Sequence, residues 1–302
     1  MASPSPANPS TTKPPSPYPD PLIIPPLQDH KQTFIILHGR GSNAIDFAPP
    51  LLDTSVSESQ TFRSSFPHAQ FVFPTASKRR AQIYHRSIIN QWFDNGSLQT
   101  PNERTYLQIE GLRETSTYIH SLLKSAIAQV GVENVVLRGL SQGCAAALIA
   151  LLTWDGEEPI AAGFGMCGWL PFRKQMEEIV IASESSDPNG GGDDVFEIQG
   201  EAVGNDDGPT QAVAFLKEEL EMAAEGLSMP VQRVPLLLGH GVEDEKVPVE
   251  LGREAVSCLK RLGVNTEWHE YDGLGHWYSV AMLSDLVNSL RVMTSWEHTQ
   301  DQ

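Results

Sequence analysis

The fold is decided by residues 135–152, which have the sequence VVLRGLSQGCAAALIALL. Val135–Leu137 is a short apolar run typical of a buried strand, and Ala145–Leu152 has the composition of a helix. Between them stands the G-x-S-x-G pentapeptide 139–143. At a sharp turn from strand to helix, its two glycines relieve crowding and hold the serine hydroxyl up toward a substrate. We therefore predict that Ser141 is a nucleophile.

Short apolar runs alternate with amphipathic ones along most of the remaining chain. Their lengths and spacings predict strands at Phe34–Leu37, Gln70–Phe73, Val135–Leu137, Ile160–Cys167, Val234–Leu238 and Thr266–Tyr271, and helices at Arg104–Val130, Ala145–Leu152, Leu251–Leu262 and Val280–Val292. Continuous apolar strands that alternate with helices are typical of a parallel sheet with both faces covered. The sequence therefore predicts an α/β fold with a mostly parallel central sheet and helices on both faces.

The composition excludes several classes of protein. Among the 302 residues, 21 are Lys or Arg and 38 are Asp or Glu, so the formal net charge is -17. A chain this acidic repels the phosphate backbone of nucleic acids. We find no secretory signal at its first residues and no apolar run near the roughly 18 residues that a membrane span needs. Three widely separated cysteines fit free thiols in a reducing compartment, so we expect a cytoplasmic protein that binds no nucleic acid.

Proline dominates the first thirty residues, which hold ten of the 22 prolines. Proline lacks a backbone N–H and fixes φ, so we expect residues 1–30 to be a disordered or extended tail. The alternative for its end is that the apolar stretch Pro21–Leu27 packs back onto the domain. The Pro-x-x-Pro spacings in this tail offer a weaker alternative, a ligand for the aromatic groove of an SH3-like partner. We expect residues 31–298 to form a single domain.

An acidic stretch interrupts the predicted domain. Between Lys174 and Lys217 the chain has ten acidic residues and no basic one, together with many Ser, Gly and Asn residues. Such a segment repels itself and stays solvated, so we expect a flexible insertion at about residues 175–216. The alternative is a mobile cap over the active site, because α/β enzymes place function in loops beyond the strand ends.

A serine nucleophile needs a base and an acid, and at this kind of turn they follow it in the order Ser, acid, His. The predicted strand Val234–Leu238 leads into residues 243–245, which are three carboxylates in a row. The strand Thr266–Tyr271 leads into a loop that contains His276 and precedes the last helix. We therefore predict that His276 is the general base, with one of the three carboxylates as its partner.

The developing negative charge on a substrate needs hydrogen-bond donors. The backbone N–H of Gln142, next to the nucleophile, is one predicted donor, and the Gly-rich loop 37–43 is expected to supply the other. The histidines of two His-Gly turns, His38 and His240, are expected to hydrogen-bond the backbone of their loops. We expect neither a metal nor a cofactor, because no His, Cys or Asp group has the spacing of metal ligands and no Gly-rich loop that of a nucleotide site.

Five short motifs stand out together along the chain: Leu37-His38-Gly39, Gln91-Trp92-Phe93-Asp94, Gly139-Leu140-Ser141-Gln142-Gly143, Gly168-Trp169-Leu170-Pro171, and His240-Gly241 with Asp244 and Val247-Pro248. With these motifs the chain resembles the acyl-protein thioesterase / phospholipase–carboxylesterase family of α/β-hydrolases. The resemblance extends from about Thr33 to Val292, apart from the acidic stretch. It implies the α/β-hydrolase fold, substrates that are carboxylic esters or acyl thioesters, and no metal or organic cofactor.

The same resemblance implies roles for single residues. Ser141 resembles the family's nucleophile, and His276 resembles its base. The family pattern Asp-x-Asp-x-x-Val-Pro registers on Val247-Pro248, which makes Asp244 the orienting acid. The backbone N–H of Arg40 corresponds to the first oxyanion donor.

Two departures from the family pattern bear on the substrate. Val242 replaces the first aspartate of the acid motif. Arg40 stands where an apolar residue is common, so we expect a more polar mouth to the acyl site. Ala2 follows Met1, so the second-position glycine that myristoylation requires is absent and we expect no stable membrane anchor. We expect a carboxylesterase- or lysophospholipase-like enzyme acting on a small-molecule or lipid acyl ester. The alternatives are an acyl-protein thioesterase that removes palmitoyl groups from protein cysteines, and a catalytically silent binding module.

Overall fold

The computed structural model describes residues 18–185, 207–223, 228–294 and 296. In this part of the chain, seven strands form the central sheet and two more form a separate hairpin. The strands are β1 (Leu22–Ile24), β2 (Gln32–Leu37), β3 (Ala69–Phe73), β4 (Lys78–Ala81), β5 (Ser87–Asn90), β6 (Val135–Leu140), β7 (Ala162–Met166), β8 (Leu236–Gly241) and β9 (Thr266–Tyr271). The helices are α1 (Ala44–Leu52), α2 (Ile109–Val130), α3 (Gln142–Leu152), α4 (Arg173–Ser185), α5 (Gly208–Glu219), α6 (Val249–Arg261) and α7 (Val280–Met293).

The order of strands across the central sheet is β1-β3-β2-β6-β7-β8-β9. β1 pairs antiparallel with β3, and the other neighbouring strands of this sheet pair in parallel. The prediction of a mostly parallel sheet is therefore confirmed. Parallel strands end along one edge, so the loops that follow β2, β6, β7, β8 and β9 come together there.

Helices cover both faces of the sheet, as predicted. Along β2, Ile35 and Leu37 belong to the core that contains α2, α3 and α6, whereas Phe34 and Ile36 belong to the core that contains α1 and α7. This alternation follows from the two-residue period of a strand. Within the described ranges, no helix is long and apolar enough to cross a membrane.

The helix α1 lies outside the predicted elements. Pro49 and Pro50 stand inside it, and proline in a helix interior removes a hydrogen bond and usually breaks the helix. Two local features support α1 despite these prolines. The Asn43 side chain accepts a hydrogen bond from the Asp46 N–H at the first turn, and the apolar side chains of α1, such as Phe47, are buried.

The predicted boundary of the proline-rich tail needs correction, because residues 18–30 belong to the domain. The ring of Tyr18 is buried and stacks on Tyr118, with 4.1 Å between ring centroids. Its hydroxyl lies 2.9 Å from Oγ1 of Thr115. Leu22–Ile24 then adds an antiparallel strand to the sheet edge. Residues 1–17 lie outside the described part of the chain.

The predicted flexible insertion at about 175–216 is wrong at both ends, where α4 and α5 form and pack on each other. Helix formation follows from apolar residues at helical spacing. Met176 and Val180 of α4 and Val213 and Leu216 of α5 are buried, whereas Glu178, Glu184 and Asp207 are exposed. Residues 186–206 lie outside the described part of the chain, so a cap over the site stays a prediction.

Candidate active site

The turn between β6 and α3 carries Ser141 in an unusual backbone conformation. Its φ is 57° and its ψ is -120°, and residues other than glycine rarely adopt a positive φ. A hydrogen bond of 2.7 Å from the Ser141 N–H to the Met166 carbonyl holds the turn against β7. α3 begins at Gln142 and not at Ala145 as predicted, so Ser141 stands directly at a helix N-terminus.

The two glycines of the pentapeptide are required by close backbone approaches. A Cβ atom added at Gly139 would lie 2.2 Å from the carbonyl of Gly143. A Cβ added at Gly143 would lie 2.6 Å from the carbonyl oxygens of Leu37 and His38. Real Cβ atoms do not approach backbone this closely, so these glycines let the turn lie against the loop that follows β2.

Three side chains that are far apart in the sequence form one hydrogen-bonded row. His276, in the loop between β9 and α7, lies with Nε2 2.8 Å from Oγ of Ser141. Its Nδ1 lies 2.7 Å from Oδ2 of Asp244, in the loop after β8. Ser141 is 7% exposed. The structure therefore brings together the predicted nucleophile, base and acid, each after the strand that the sequence analysis indicated.

Asp244 is held by four hydrogen bonds. Its Oδ1 accepts the backbone N–H groups of Lys246 and Val247, both at 2.9 Å. Its Oδ2 accepts from His276 and lies 3.1 Å from Nε2 of His240. Burial raises the pKa of Asp244, but the hydrogen bonds from His240, His276 and Val247 outweigh it and hold the pKa well below its ordinary value. The carboxylate is therefore ionised at neutral pH, whereas its neighbours Glu243 and Glu245 are exposed.

His240 has a contact that the sequence analysis missed. Its Nε2 lies 2.9 Å from the Val247 carbonyl, which agrees with the predicted bond to its own loop. The same nitrogen also reaches Oδ2 of Asp244. A single N–H directed at two oxygens ties the acid to the loop that carries it. The spacing of four residues between His240, near the end of β8, and Asp244, in the loop that follows, was the only sequence signal for this contact.

The two predicted oxyanion donors belong to segments next to Ser141. A Cβ added at Gly39 would be 3.6 Å from Cβ of Ser141, so the loop that carries Arg40 is a direct neighbour of the nucleophile. The backbone N–H groups of Arg40 and Gln142 donate to no acceptor within residues 18–185, 207–223 and 228–294. Gln142 also opens α3, where unpaired N–H groups and the helix dipole favour negative charge.

The side chain of Gln142 fixes a neighbouring segment. Its Oε1 accepts the Trp92 N–H at 3.0 Å, and its Nε2 donates to the Phe93 carbonyl at 2.6 Å. The Trp92 indole N–H donates to the His38 carbonyl at 2.8 Å. Trp92 is fully buried, so it is a core residue, and Trp169 is almost fully buried too.

His38 has the structural role that was predicted for it. Its Nδ1 donates to the Gly39 carbonyl at 2.7 Å, and its Nε2 accepts the Ala76 N–H at 3.0 Å. Burial lowers the pKa of His38 to about 4, and the bond to Gly39 offsets this only in part. At neutral pH the ring is therefore uncharged and braces the loop beside Ser141.

One group of potential metal ligands also occurs at this edge. Ligand atoms of Cys167, His240 and Asp244 all lie within 4.8 Å of one another. Burial raises the pKa of the Cys167 thiol to about 12, and its sulfur donates to the Trp277 carbonyl at 3.3 Å. Asp244 is already bound by its four donors. These donors fit a positioned carboxylate better than a metal centre.

The chain is similar in sequence and in fold to proteins named as thioesterases and carboxylesterases. It is 25% identical over 263 residues to acyl-protein thioesterase 1 from Gibberella zeae, covering 85% of this chain and 88% of that protein. It is 24% identical over 247 residues to the Arabidopsis thaliana carboxylesterase SOBER1, covering 81% and 83%. Its fold is similar to that of Zea mays acyl-protein thioesterase 2, with a TM-score of 0.64, 20% identity, and coverage of 92% of this chain and 100% of that one.

A family model described as Phospholipase/Carboxylesterase matches residues 19–188 and 213–294. The match begins one residue after Tyr18, at the start of the domain, and omits residues 189–212 in the acidic stretch. It also spans all five motifs that carried the resemblance. The chain therefore belongs to the phospholipase/carboxylesterase family of α/β-hydrolases, and it is a hydrolase of carboxylic esters or acyl thioesters.

Proposed function

We propose that this protein hydrolyses carboxylic esters with Ser141 as nucleophile, His276 as base and Asp244 as orienting acid. The observation that carries the proposal is the continuous row of hydrogen bonds, 2.8 Å from Ser141 to His276 and 2.7 Å from His276 to Asp244. The strained backbone of Ser141 supports it, because such strain persists mainly where function requires it.

The reaction has two halves. The Oγ atom of Ser141 bonds to the acyl carbon while Nε2 of His276 takes the hydroxyl proton, and the carbonyl electron pair moves onto oxygen. The oxyanion accepts hydrogen bonds from the backbone N–H groups of Arg40 and Gln142. When it collapses, the bond to the leaving group breaks, and His276 gives its proton to the departing alcohol or thiol. Water then repeats these steps on the acyl-enzyme, which releases the acid and regenerates Ser141.

The low pKa of Asp244 supports its role in this sequence. An ionised carboxylate beside Nδ1 keeps the proton of His276 on that nitrogen, so Nε2 is free to accept the proton of Ser141. The same charge stabilises the imidazolium that forms after proton transfer. Asp244 itself keeps no proton at any step.

The substrate that we favour is a small-molecule or lipid carboxylic ester. One relative is named a carboxylesterase, which supports this choice, but another is named an acyl-protein thioesterase. We therefore keep removal of palmitoyl groups from protein cysteines as the second candidate. The net charge of -17 disfavours approach to anionic membranes, where palmitoylated proteins reside. A comparison of kcat/KM on a palmitoyl-cysteine peptide and on a short-chain ester separates the two.

Two further predictions stay with this proposal. The three cysteines are buried free thiols, which supports the cytoplasm as the compartment. A partner for the proline-rich tail is the weaker prediction, and the residues concerned lie in the part of the chain that is not described.

The decisive experiment compares Ser141→Ala with the wild type on p-nitrophenyl esters and with a fluorophosphonate probe. We expect kcat to fall roughly 10³-fold or more and labelling to disappear, because the nucleophile is lost. Ser121→Ala, at an exposed position on α2, is the matched control and should keep both. Esterase activity or labelling that survives in Ser141→Ala contradicts the assignment. Absence of both from the wild type would instead favour a silent binding module.

A further inference from the structure

A charged side chain lies in the core directly beneath the active site. Arg138 is on β6, three residues before Ser141, and pairs with Ile36 of β2 and Phe164 of β7. It is 0% exposed. In the described part of the chain, no carboxylate is close enough to form an ion pair with it.

The guanidinium of Arg138 has few partners, and they are weak ones. Its Nη2 donates to the sulfur of Met166 at 3.1 Å, and its central carbon lies 4.7 Å from the ring centroid of Phe62. Within the described ranges its Nε and Nη1 have no acceptor. Burial lowers the pKa of Arg138 to about 9, so the group stays charged at neutral pH.

Stability alone gives no reason for an arginine at this position. A buried charge loses its hydration, and without a carboxylate partner little compensates for that loss. Replacement of buried charged groups by apolar side chains of similar size is often neutral or stabilising. A surrounding shell of Phe62, Met166 and Tyr278, all buried in the same core, would accept a methionine or leucine here.

The contacts of Arg138 lead to the turn that holds the nucleophile. Met166 is the last residue of β7, and its carbonyl accepts the Ser141 N–H at 2.7 Å. Tyr278, two residues after His276 in the chain, is buried in the same core as Met166 and Phe62, the two residues that the guanidinium contacts. The guanidinium therefore contacts the residue that anchors the turn of the nucleophile.

We propose that Arg138 is a positioning residue for the reaction, holding Met166, and through it the Ser141 turn, in register with His276. This inference rests on the proposed function of Ser141 and His276. A cation bound to a sulfur atom and lying over an aromatic ring has contacts that an apolar side chain cannot replace. Ser141 needs such support because its positive φ is unfavourable unless the surrounding contacts fix it.

The test compares Arg138→Met and Arg138→Lys with a control on the same strand and the same face, Val136→Ala. For each variant, kcat and KM on a short p-nitrophenyl ester are measured, kcat is normalised to the sites labelled by a fluorophosphonate, and the melting temperature is recorded. Normalisation keeps the comparison valid if a variant folds only in part. Labelling of the wild type, absent from Ser141→Ala, tests the proposed function separately.

We expect activity and stability to change independently. Arg138→Met should lower kcat per labelled site about tenfold with KM changed less than twofold, since a displacement well below 1 Å at the nucleophile suffices for such a loss. Its melting temperature should equal or exceed that of the wild type. Val136→Ala should lower the melting temperature but leave kcat per site unchanged. Arg138→Lys, which keeps the charge, should recover part of kcat.

Two results would overturn the proposal. The first is an Arg138→Met enzyme with kcat per labelled site within twofold of the wild type. The second is a loss of kcat that follows the loss of melting temperature in the same proportion for Arg138→Met and Val136→Ala. In that case Arg138 contributes only to the packing of the core.

Discussion

The two walls of the active site differ in chemistry. The loop after β2 forms the His38 wall, and the loops after β8 and β9, with Asp244 and His276, form the His276 wall. On one wall, the ring of His38 bonds only to backbone groups, those of Gly39 and Ala76. On the other wall, the ring of His276 bonds to two side chains, those of Ser141 and Asp244. Both histidines follow a strand at the same edge of the sheet. Their partners, and not their place in the fold, therefore decide what each ring can do.

Because of this difference, the His38 wall contributes to stability and the His276 wall to the reaction. Burial keeps His38 uncharged, with its pKa at about 4, so the wall that offers backbone N–H groups carries no titrating charge at neutral pH. The opposite wall holds an ionised Asp244 beside a half-buried His276. Damage to the His276 wall should therefore reduce catalysis with the fold intact. Damage to the His38 wall should change stability and its dependence on pH.

The largest effect is expected from Asp244→Asn. The amide cannot hold a proton on Nδ1 of His276, so the ring adopts the wrong tautomer, and kcat should fall by about 10⁴-fold. Circular dichroism should show an unchanged fold. Glu243→Gln removes a neighbouring but exposed carboxylate and is the matched control, with kcat expected within twofold of the wild type. Similar losses in both variants would mean that the acid has been assigned to the wrong residue.

The next effect concerns the pH dependence of stability through His38. Its pKa is about 4 in the folded protein against an ordinary 6.5. Below pH 6.5 the unfolded chain binds a proton that the folded protein does not, so the stabilisation is complete above pH 6.5 and decreases as pH falls toward 4. One pKa unit corresponds to about 1.4 kcal/mol. Between pH 7 and pH 4 the free energy of unfolding of the wild type should therefore fall by about 3 kcal/mol through His38.

His38→Gln isolates this contribution from the titration of the many carboxylates. Urea unfolding of the wild type and of His38→Gln at pH 7 and pH 4 gives the two losses of unfolding free energy. The wild type should lose about 3 kcal/mol more than the variant over this range. His85→Gln, at an exposed histidine, should behave like the wild type. Equal losses in the wild type and His38→Gln would mean that His38 is not held neutral by the fold.

Much of the fold follows from local patterns, and the exceptions have physical causes. Thr266–Tyr271 forms a strand with the predicted bounds, because a short run that holds Thr, Trp and Tyr between turns specifies a strand locally. By contrast, α1 depends on burial that outweighs Pro49 and Pro50, and Tyr18 joins the domain through contacts with residues about a hundred positions away. Tertiary contacts of this kind leave no periodic signal in the sequence.

In the site, too, some features follow from local sequence patterns and others from tertiary contacts. The order of Ser141, Asp244 and His276 after their strands is a property of the chain, so it could be predicted from the sequence. The direction of a side chain depends on packing and could not. Arg40 was expected to make the mouth of the site more polar, but its guanidinium bonds to Asn95, and its Nε and Nη1 are buried. The bond from His240 to Asp244 was missed for the same reason.

The smallest effect on kcat is expected from substitutions of His240. They test whether the hydrogen bond of its ring to Asp244 matters or only its volume. His240→Ala removes the donor to Oδ2 of Asp244 and to the Val247 carbonyl. Loss of one hydrogen bond to a buried carboxylate should lower kcat about tenfold, with KM unchanged, because Asp244 then holds His276 less firmly. His240→Gln places an amide N–H near the position of Nε2, so its kcat should lie closer to that of the wild type. If His240→Gln loses as much as His240→Ala, the imidazole only fills space, and the acid is positioned by backbone N–H groups alone.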